Sequence, residues 1–457
     1  KLFNHLITRN ERLQYSSVDK WTWPSFAPNE FEILSDVEIE SGGFPLENSK
    51  LKFVLQTIPQ VITFEQRTRL FQQLVDSEKY KVRDFDHQPL RIEIRRDHLL
   101  QSAFDQLYPR RSELRRDVKV TFINASGVHE SGIDGGGLFK EFIDDLMKEM
   151  SQTHWGFFRH TSEQRLVPNS VNTNSIEYLQ YYSFLGSMLG KAIYEKVLIE
   201  PQFAGMFLNH LLGRVNLIDD LPSLDEEVYS NLLRLKRDYL YGNGNLDDLG
   251  LTFEINREQS FDSMESVVEL IPNGSKVAVT RSNLLAYIYQ YANFKLNIES
   301  ASQCRAFLSG FRDIIPLKWI RMFSAQELQM IIGGDDKQYL DIAALQRHCT
   351  YSGGYHPSQP YIQEFWKIIE SFSPDVQREF LRFVTSCSRQ PLLGFDQLNP
   401  PFNIMKIPTY NPGETVSRLP MASACFNQFK LPIYDTIEEL REKVLYALQS
   451  KSGFELT

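Results

Sequence analysis

The sequence predicts an α+β protein with a larger, mostly helical N-terminal part and a smaller α/β C-terminal part. The chain has 457 residues, of which 42% are hydrophobic, and this length allows about two to four compact units. Helical runs with one apolar face dominate up to about residue 345. A segment rich in Gly and Pro, TYSGGYHPSQP (350–360), then interrupts them. We therefore expect two main parts joined by a hinge.

Composition excludes several classes of function. The net charge of −9 argues against a duplex nucleic-acid binder. No apolar run reaches the roughly 18–20 residues that span a bilayer, and the start of the chain lacks a signal-peptide pattern. The first residue is Lys1 rather than Met, so we expect the chain to be part of a longer protein. The cysteines form no CxxC pair and the histidines no metal-ligand pattern, so we expect no metal and a reducing compartment, the cytoplasm or the nucleus; the four cysteines are Cys304, Cys349, Cys387 and Cys425.

The N-terminal segment 1–82 is interpreted as an extension that packs on the part that follows it. Its run FEQRTRLFQQLVDSEK (64–79) has helical spacing, which places Leu70, Phe71 and Leu74 on one face. An amphipathic helix of this kind is usually half-buried, so packing is favoured over a role in docking a partner.

The middle of the chain mixes strands with long helices. RIEI (91–94) and VKVTFI (118–123) have strand character, and the segment 175–213 reads as a buried helical stretch. Gly186 and Gly190 are four residues apart in it, a spacing that lets a second helix approach closely. The polar, turn-rich residues 225–296 indicate a small α+β insertion.

The C-terminal part begins after a hinge that we place within about 345–356. Ser373 and Pro374 form a strong helix start, as an N-cap followed by proline in the first turn. Thr436 and Glu439 have the spacing of a capping box at the start of a last helix.

Cys425 is the candidate nucleophile. It lies in LPMASACFNQFKLP (419–432), where small residues precede it and a strand-like FNQFKL follows. Arg418 and Lys430 are near in sequence and would favour the thiolate. The alternative is a buried structural thiol, because lone cysteines usually act as small hydrophobic residues. Cys349 beside His348 is a second candidate, although adjacent helical residues do not face each other.

The histidine pattern distinguishes two chemistries for such a thiol. A cysteine protease needs a histidine base, yet no histidine follows Cys425 and the nearest one upstream is His356. A thiol that accepts an already activated thioester needs positioning and some thiolate rather than a full triad. The pattern therefore favours group transfer over hydrolysis.

Several blocks of the sequence resemble the HECT-type ubiquitin ligase catalytic domain. LPMASACFNQFKLP resembles the signature LPxxxTCxNxLxLP around the catalytic cysteine of that family, and the ending GFEL (453–456) resembles its terminus. The other blocks occur in the family order over about residues 85–457: GIDGGGLFKEF, FLGSMLGKAIYE, YSGGYHPSQPYIQEFW and FVTSCSRQPLLGF. Within the family, the blocks look most like the branch that associates with the proteasome, with a closely related branch as the nearest alternative.

The resemblance implies a bilobal HECT fold in which ubiquitin passes from a ubiquitin-conjugating enzyme to Cys425 and then to a lysine. The hinge would let one cysteine meet a donor and later an acceptor. The implied hinge residues are Ser352, Gly353 and Gly354. The implied parts are the extension 1–82, an N-lobe 83–347 with a small subdomain at about 215–296, a hinge 348–354 and a C-lobe 355–457.

The resemblance also implies roles for individual residues. Leu249, Leu251 and Tyr287 match the stretches that form the groove for the conjugating enzyme, although all three could instead be core residues. Phe454 matches a terminal aromatic residue that positions the C-lobe for lysine transfer, with simple tail packing as the alternative.

The chain departs from the family pattern at two positions beside the nucleophile. Ala424 replaces the threonine before the cysteine, and Ser423 replaces a histidine found in many members. These departures leave open which group accepts the lysine proton, and Glu455 is one candidate.

The expected function is therefore ubiquitin-protein transfer that builds chains for proteasomal degradation. The expected partners are ubiquitin, a conjugating enzyme, protein substrates and the proteasome, with no nucleic acid, no membrane and no cofactor. A cysteine protease acting on ubiquitin-like conjugates and a non-catalytic protein-binding module are the alternatives.

Overall fold

The structure of the chain, a computed structural model, contains two hydrophobic cores. The larger core contains residues from Leu51 to Ile332, and the smaller core contains residues from Leu340 to Leu448. No helix in the described ranges combines the length and the apolarity needed to cross a membrane. The structure describes residues 2–23, 49–85, 88–130, 137–170, 175–242, 244, 246–256, 267–335, 339–410 and 417–450.

Helices make up most of the larger part. Its strands form three small two-stranded sheets, of which the first is parallel. The helices are α1 (Leu2–Leu13), α2 (Ser49–Thr57), α3 (Phe64–Phe85), α4 (Leu99–Leu107), α5 (Gly137–Met150), α6 (Ile176–Tyr194), α7 (Gly205–Leu211), α8 (Glu226–Leu235), α9 (Leu284–Asn293), α10 (Ala301–Ile314), α11 (Leu317–Ile320) and α12 (Ala325–Gly333). The strands are β1 (Leu90–Arg95), β2 (Val118–Ile123), β3 (Phe158–His160), β4 (Leu166–Pro168), β5 (Glu254–Asn256) and β6 (Val267–Glu269).

Two helices in direct backbone contact form the centre of this part. The side chain of Ser175 caps the start of α6 by accepting a hydrogen bond from the Tyr178 amide. A Cβ atom on Gly186 would lie 1.9 Å from the Phe307 carbonyl oxygen of α10. A Cβ atom on Gly310 would lie 1.7 Å from the Ser183 carbonyl oxygen of α6. Glycine therefore permits the close approach of the two helices.

Helix α3 joins the N-terminal segment to the larger core. Leu70, Phe71 and Leu74 are buried, on the face that their spacing predicts. Arg67, on the same helix, is buried and forms two hydrogen bonds to Glu327 at the start of α12, at 2.6 and 2.7 Å. Arg67 also donates to the Met322 carbonyl oxygen at 2.6 Å. Because a buried guanidinium must be fully paired, this network fixes α3 on the core.

The smaller part packs four helices around one mixed sheet. The strand order is β7-β8-β10-β9, in which β9 alone runs antiparallel to its neighbour. The rings of Phe365, Phe380 and Phe429 pack together in its core with centroids 5.3–6.0 Å apart. The elements are β7 (Thr350–Ser352), β8 (Asn403–Lys406), β9 (Met421–Ser423) and β10 (Gln428–Leu431), with α13 (Ile342–Arg347), α14 (Pro360–Glu370), α15 (Pro374–Thr385) and α16 (Ile437–Ser450).

The structure places the residues predicted as hinge inside the smaller part. Ser352 ends β7 and pairs with Met405 of β8. Gly353 and Gly354 follow with φ angles of 67° and 97°, and a Cβ atom on Gly353 would lie 2.6 Å from the Lys406 carbonyl oxygen. The glycine at 353 therefore serves the close packing of this loop on β8. The hinge itself stays a prediction, and the positions of the two cores favour the segment between Ile332 and Leu340 for it.

Candidate active site

Cys425 lies in the loop of a β-hairpin. Strands β9 and β10 pair antiparallel, with Ser423 opposite Gln428. Residues 424–427 connect them, and we call this loop the cysteine turn. Ala424–Phe426 form a single 3-10 turn, which the Asn427 amide closes by donating to the Ala424 carbonyl oxygen at 3.2 Å. The structure describes the backbone of Cys425, which therefore sits at a fixed point of a tight turn.

Asn427 anchors this turn to the sheet. It adopts a left-handed conformation with φ of 46°, which asparagine tolerates better than most residues, and only 1% of it is exposed. Its side-chain amide donates to the Pro400 carbonyl oxygen at 2.6 Å, and its own carbonyl oxygen accepts from the Asn403 amide at 2.9 Å. One buried residue thus holds the loop on both sides.

A chain of side-chain hydrogen bonds continues from the turn along the sheet edge. Gln428 donates to the Asn403 side-chain oxygen at 3.0 Å, and Ser352 donates to the same atom at 2.8 Å. The Asn403 amide nitrogen donates to the Thr350 hydroxyl at 2.9 Å. The turn therefore belongs to an ordered polar edge formed by the first residues of three strands.

A lysine from the larger part contacts the cysteine turn. Lys140 of α5 donates to the Asn427 side-chain oxygen at 2.5 Å and to the Ala424 carbonyl oxygen at 3.4 Å. Of the two cations predicted from local sequence, Lys430 lies opposite Met421 in the hairpin and Arg418 precedes β9. Sequence reasoning missed Lys140, which lies 284 residues before Ala424.

A second set of contacts joins the two parts near the connection between their cores. Arg389 donates to the carbonyl oxygens of Gly333, at 2.6 Å, and of Ile199 and Glu200, both at 3.1 Å. The Ser388 amide donates to the Glu200 carboxylate at 2.7 Å. A cavity of about 520 Å³ lies between the parts, and its lining includes Lys140, Arg389 and Asn427.

The other three thiols are unsuited to nucleophilic attack at neutral pH. Burial raises the pKa of Cys304 to about 11 and the pKa values of Cys349 and Cys387 to about 12. Because the thiolate is the reacting species, these groups are unreactive near pH 7. Cys349 donates to the Thr350 carbonyl oxygen at 3.2 Å, so its side chain is engaged within the sheet. Cys425 stays the predicted nucleophile.

The nearest upstream histidine is engaged within its own loop. A hydrogen bond of 2.8 Å joins His356 Nδ1 to the Ser358 hydroxyl, and the side chain is exposed. A histidine that acts as a base for a cysteine protease must instead be held toward the thiol.

The comparisons with known proteins decide the family. The sequence profile of the HECT-domain (ubiquitin-transferase) family matches residues 144–457, more than half of the chain. The chain belongs to the HECT family. Its α+β fold with two lobes is the one that the sequence predicts, so the larger part is the N-lobe and the smaller part is the C-lobe.

Named relatives agree with this membership. The chain is 36% identical over its whole length to the E3 ubiquitin-protein ligase UPL6 of Arabidopsis thaliana. Over 90% of its length it is 39% identical to the ubiquitin-protein ligase E3B of Homo sapiens, and over 89% it is 36% identical to the E3 ubiquitin-protein ligase HUL5 of Saccharomyces cerevisiae. The chain spans only 41–45% of the length of these relatives.

The HECT residues predicted to dock a conjugating enzyme differ in accessibility. Leu249 has 44% of its surface exposed and Tyr287 only 6%, while Leu251 is half-buried. The Tyr287 ring packs edge-on against Phe253 with centroids 5.5 Å apart, and burial raises its pKa to about 12. Leu249 can therefore touch a partner, whereas Tyr287 supports the subdomain from within.

The same HECT subdomain exposes apolar residues that sequence reasoning did not single out. Leu285 and Tyr289 lie four residues apart on α9 and are both more than half exposed. Their helical spacing places them on one face, opposite the buried Tyr287. The exposure of large apolar side chains is the signal that identifies them, and it becomes visible only in the structure.

Two further residues of the HECT C-lobe lie outside the described ranges. Phe454, the predicted aromatic residue for lysine transfer, and Glu455, the candidate base, follow the last described residue, Ser450. Their roles remain predictions. Within the described part of the chain, no three His, Cys, Asp or Glu side chains are grouped to hold a metal ion.

Proposed function

We propose that this chain is a ubiquitin-protein transferase that carries ubiquitin as a thioester on Cys425. The observation that carries the proposal is the cysteine turn itself. A nucleophile for a bulky protein thioester must stand on a rigid, accessible support, and Cys425 lies at the tip of a hairpin with exposed Phe426 beside it. The other three thiols are held in their unreactive protonated form by burial.

The reaction consists of two exchanges at one sulfur atom. The Cys425 thiolate attacks the thioester carbonyl that links ubiquitin to the conjugating enzyme, and the thiolate of that enzyme leaves. A lysine amine of a substrate or of another ubiquitin then attacks the new thioester. The amine loses its proton to solvent, an isopeptide bond forms and the Cys425 thiolate leaves. Both steps need an accessible, well-positioned sulfur rather than a histidine base.

The conjugating enzyme would dock on the N-lobe subdomain. Exposed Leu249 supports this proposal, together with Leu285 and Tyr289 on α9. Leu251 and Tyr287 would hold the shape of that surface from below. Exposed large apolar side chains are typical of protein-binding sites on an otherwise polar surface.

A swing of the C-lobe would bring Cys425 first to the donor and then to the acceptor. The described residues place Gly334 in the segment between the two cores, with φ of 89°. We therefore propose that the lobes move about residues 333–341 rather than about Ser352, Gly353 and Gly354. Phe454 would position the C-lobe for the lysine step.

The proposed setting is the ubiquitin pathway of the cytoplasm or nucleus, with the proteasome as a further partner. Protein substrates and chain type belong to this proposal, and no cofactor is required, since ATP is used by the activating enzyme. Hydrolysis of conjugates is the alternative chemistry, and the engagement of His356 within its own loop argues against it.

A thioester assay tests the proposal. Activating enzyme, ATP, ubiquitin and a panel of conjugating enzymes would be incubated with the chain and with Cys425→Ser. We expect a ubiquitin adduct on the wild-type chain that a thiol reductant removes. The Cys425→Ser variant would form no adduct or an ester that resists the reductant.

Three outcomes would contradict the proposal. A reductant-sensitive adduct that persists in Cys425→Ser would mean that another thiol, Cys349 first, is the acceptor. The absence of any adduct with every conjugating enzyme, on protein with a cooperative unfolding transition, would favour a binding module. Release of free ubiquitin from conjugates without chain growth would favour a hydrolase.

A further inference from the structure

Lys140 links the N-lobe to the loop that carries the nucleophile. Helix α5 packs directly on the cysteine turn, and Lys140 reaches from it to two acceptors that flank Cys425. One acceptor is the Ala424 carbonyl oxygen at 3.4 Å, and the other is the Asn427 side-chain oxygen at 2.5 Å. The ammonium group therefore lies against the residues on both sides of the cysteine.

The hydrogen bond between Lys140 and Asn427 should be costly to lose because the Asn427 amide is buried. Its nitrogen already donates to the Pro400 carbonyl oxygen, which fixes the orientation of the amide and aims the oxygen at Lys140. Loss of the lysine would leave a buried acceptor without this charged donor, which costs more than the loss of an exposed hydrogen bond. The shape of the cysteine turn is thus coupled to a side chain of the other lobe.

The interlobe contacts fall into two groups with different positions. Arg389 and Ser388 bind residues 199–200 and 333 of the N-lobe, close to the segment that joins the two cores. Lys140 binds the C-lobe at its nucleophile loop. A C-lobe that rotates about the first group must release the second, so the Lys140 contact distinguishes a docked cysteine turn from a released one.

The other charged groups on the elements around this contact have hydrogen-bond or ion-pair partners of their own. On the N-lobe, Asp144 pairs with Lys148, and Glu200 accepts from Ser388. On the C-lobe, Arg389 is directed to backbone carbonyls, and on α15, which packs against the turn, Asp375 pairs with Arg378 and Glu379 with Arg382. Lys140 is therefore the cation that these contacts place on the cysteine turn itself.

We propose that Lys140 is a positioning residue for ubiquitin transfer, which docks the cysteine turn on α5 and stabilises negative charge on the Cys425 sulfur. The inference rests on the proposed role of Cys425. Charge arises on that sulfur twice, when the thiol loses its proton to solvent before attack, and when the thiolate leaves as the lysine amine takes the acyl group. While the cysteine turn is docked, a cation held at the Ala424 carbonyl oxygen and the Asn427 side chain favours the thiolate over the neutral thiol and the thioester.

The pH dependence of thiol alkylation tests the inference without ubiquitin. The chain would react with iodoacetamide from pH 6 to pH 9.5, and the rate at Cys425 would be followed by mass spectrometry of its peptide. The raised pKa values of Cys304, Cys349 and Cys387 keep their rates low in this range. The variants are Lys140→Arg, Lys140→Gln and Lys140→Ala, with Lys367→Ala as a control for the removal of an exposed lysine that pairs with Glu364.

We expect the midpoint of the Cys425 profile to rise by about one pH unit in Lys140→Ala and Lys140→Gln, the size of shift that one nearby charge produces. Lys140→Arg, which keeps charge and donors, and Lys367→Ala should match the wild type. Thermal unfolding shows whether each variant is folded. If Lys140→Ala does not fold, Lys140→Gln, which keeps a hydrogen-bond donor, provides the test instead. Unchanged midpoints in folded Lys140→Ala and Lys140→Gln would overturn the inference.

A single-turnover measurement adds the transfer step. Chain preloaded with ubiquitin would be mixed with free lysine or a second ubiquitin, and the loss of thioester followed over time. We expect about tenfold slower discharge in Lys140→Gln and near wild-type discharge in Lys140→Arg. Equal discharge rates in the wild type, Lys140→Gln and Lys140→Arg would also overturn the inference about Lys140. A failure of the proposed function looks different, since Cys425→Ser would then still carry a reductant-sensitive adduct.

Discussion

At the scale of single residues, two glycines decide how closely the central helices of the N-lobe pack. Gly186 on α6 and Gly310 on α10 each lie where a Cβ atom would overlap a carbonyl oxygen of the opposite helix. Backbone atoms cannot turn aside as flexible side chains do, so a larger residue must push the helices apart. These glycines are needed for interhelical contact rather than for an unusual backbone angle.

Gly310→Ala should lower the free energy of unfolding by about 1–3 kcal/mol, the usual cost of inserting a methyl group into a tightly packed core. Chemical denaturation measured by circular dichroism gives the value. Gly205→Ala is the matched control, because its Cβ atom would lie 3.4 Å from Ser223 Cβ, an ordinary contact. A Gly310→Ala variant as stable as Gly205→Ala would show that α6 and α10 lie farther apart than described.

At the scale of elements, helix α5 serves two surfaces. Lys140 faces the cysteine turn, whereas Glu141 and Asp145 surround Arg96, at 2.8 and 3.8 Å from its nitrogen atoms. Arg96 also lies 3.9 Å from the ring centroid of Phe122 on β2. One helix therefore contacts both the first sheet and the cysteine turn.

The carboxylate of Asp145 should make stability depend on pH. Burial and the neighbouring carboxylates of Glu141 and Asp144 raise its pKa to about 6 from an ordinary value of 3.8. The folded state then holds a proton that the unfolded state releases, so this contribution is complete below about pH 4 and disappears as the pH rises through 6.

The test compares Asp145→Asn with the wild type at pH 4 and pH 7.5. The difference in free energy of unfolding should move in favour of the variant by about 1 kcal/mol between these values, a figure reduced for solvent screening because 39% of the side chain is exposed. Urea denaturation at each pH provides the measurement. A difference that is the same at both pH values would contradict the raised pKa.

At the scale of the whole molecule, a few polar contacts hold the C-lobe on the N-lobe near the connecting segment. Arg389 satisfies three N-lobe carbonyl oxygens, and the Gln390 carbonyl oxygen accepts from the Asp335 amide at 2.9 Å. Each core is otherwise closed by its own apolar residues. The junction thus consists of backbone and side-chain hydrogen bonds between two separate cores.

Arg389→Ala should loosen this junction without unfolding either lobe. We expect amide hydrogen exchange of residues 333–335 and 339–341 to become at least tenfold faster, since three carbonyl oxygens lose their donor. Arg382→Ala, which removes an exposed arginine of α15, is the control. Unchanged exchange in Arg389→Ala would mean that the lobes are held together elsewhere.

Local signals in the sequence are sufficient to predict several helix starts and strands of this fold. The proline start of α15 and the Thr436 cap of α16 are seen where they were predicted, and the Glu439 amide donates to the Thr436 hydroxyl at 3.1 Å. β1 and β2 also form where their alternating patterns indicated. For Cys425, the small residues and the strand around it left a buried structural thiol as the alternative, and the resemblance of LPMASACFNQFKLP to the family signature made it the predicted nucleophile.

Long-range contacts account for what the sequence could not predict. Lys140 reaches the cysteine turn only because α5 packs there, and nothing near position 140 signals a distant hairpin. Ser352, Gly353 and Gly354 carry the glycine pattern of a hinge, and the parallel pairing of Ser352 with Met405 of β8 is a distant contact that this pattern does not reveal. Whether Tyr287 is accessible also depends on packing that its own sequence neighbours do not reveal.

The position of α5 limits where a stable fragment of this domain can begin. The family match begins at Asp144, in the third turn of a helix that runs from Gly137 to Met150. A fragment that starts there would lack Lys140 and both strands of the first sheet, and would uncover Leu146 and Met147, which are buried in the intact chain. The start of the profile match is thus not a boundary of folding, and we expect a fragment that begins at Asp144 to be less stable than one that keeps α3, β1 and β2, as thermal unfolding of the two fragments would show.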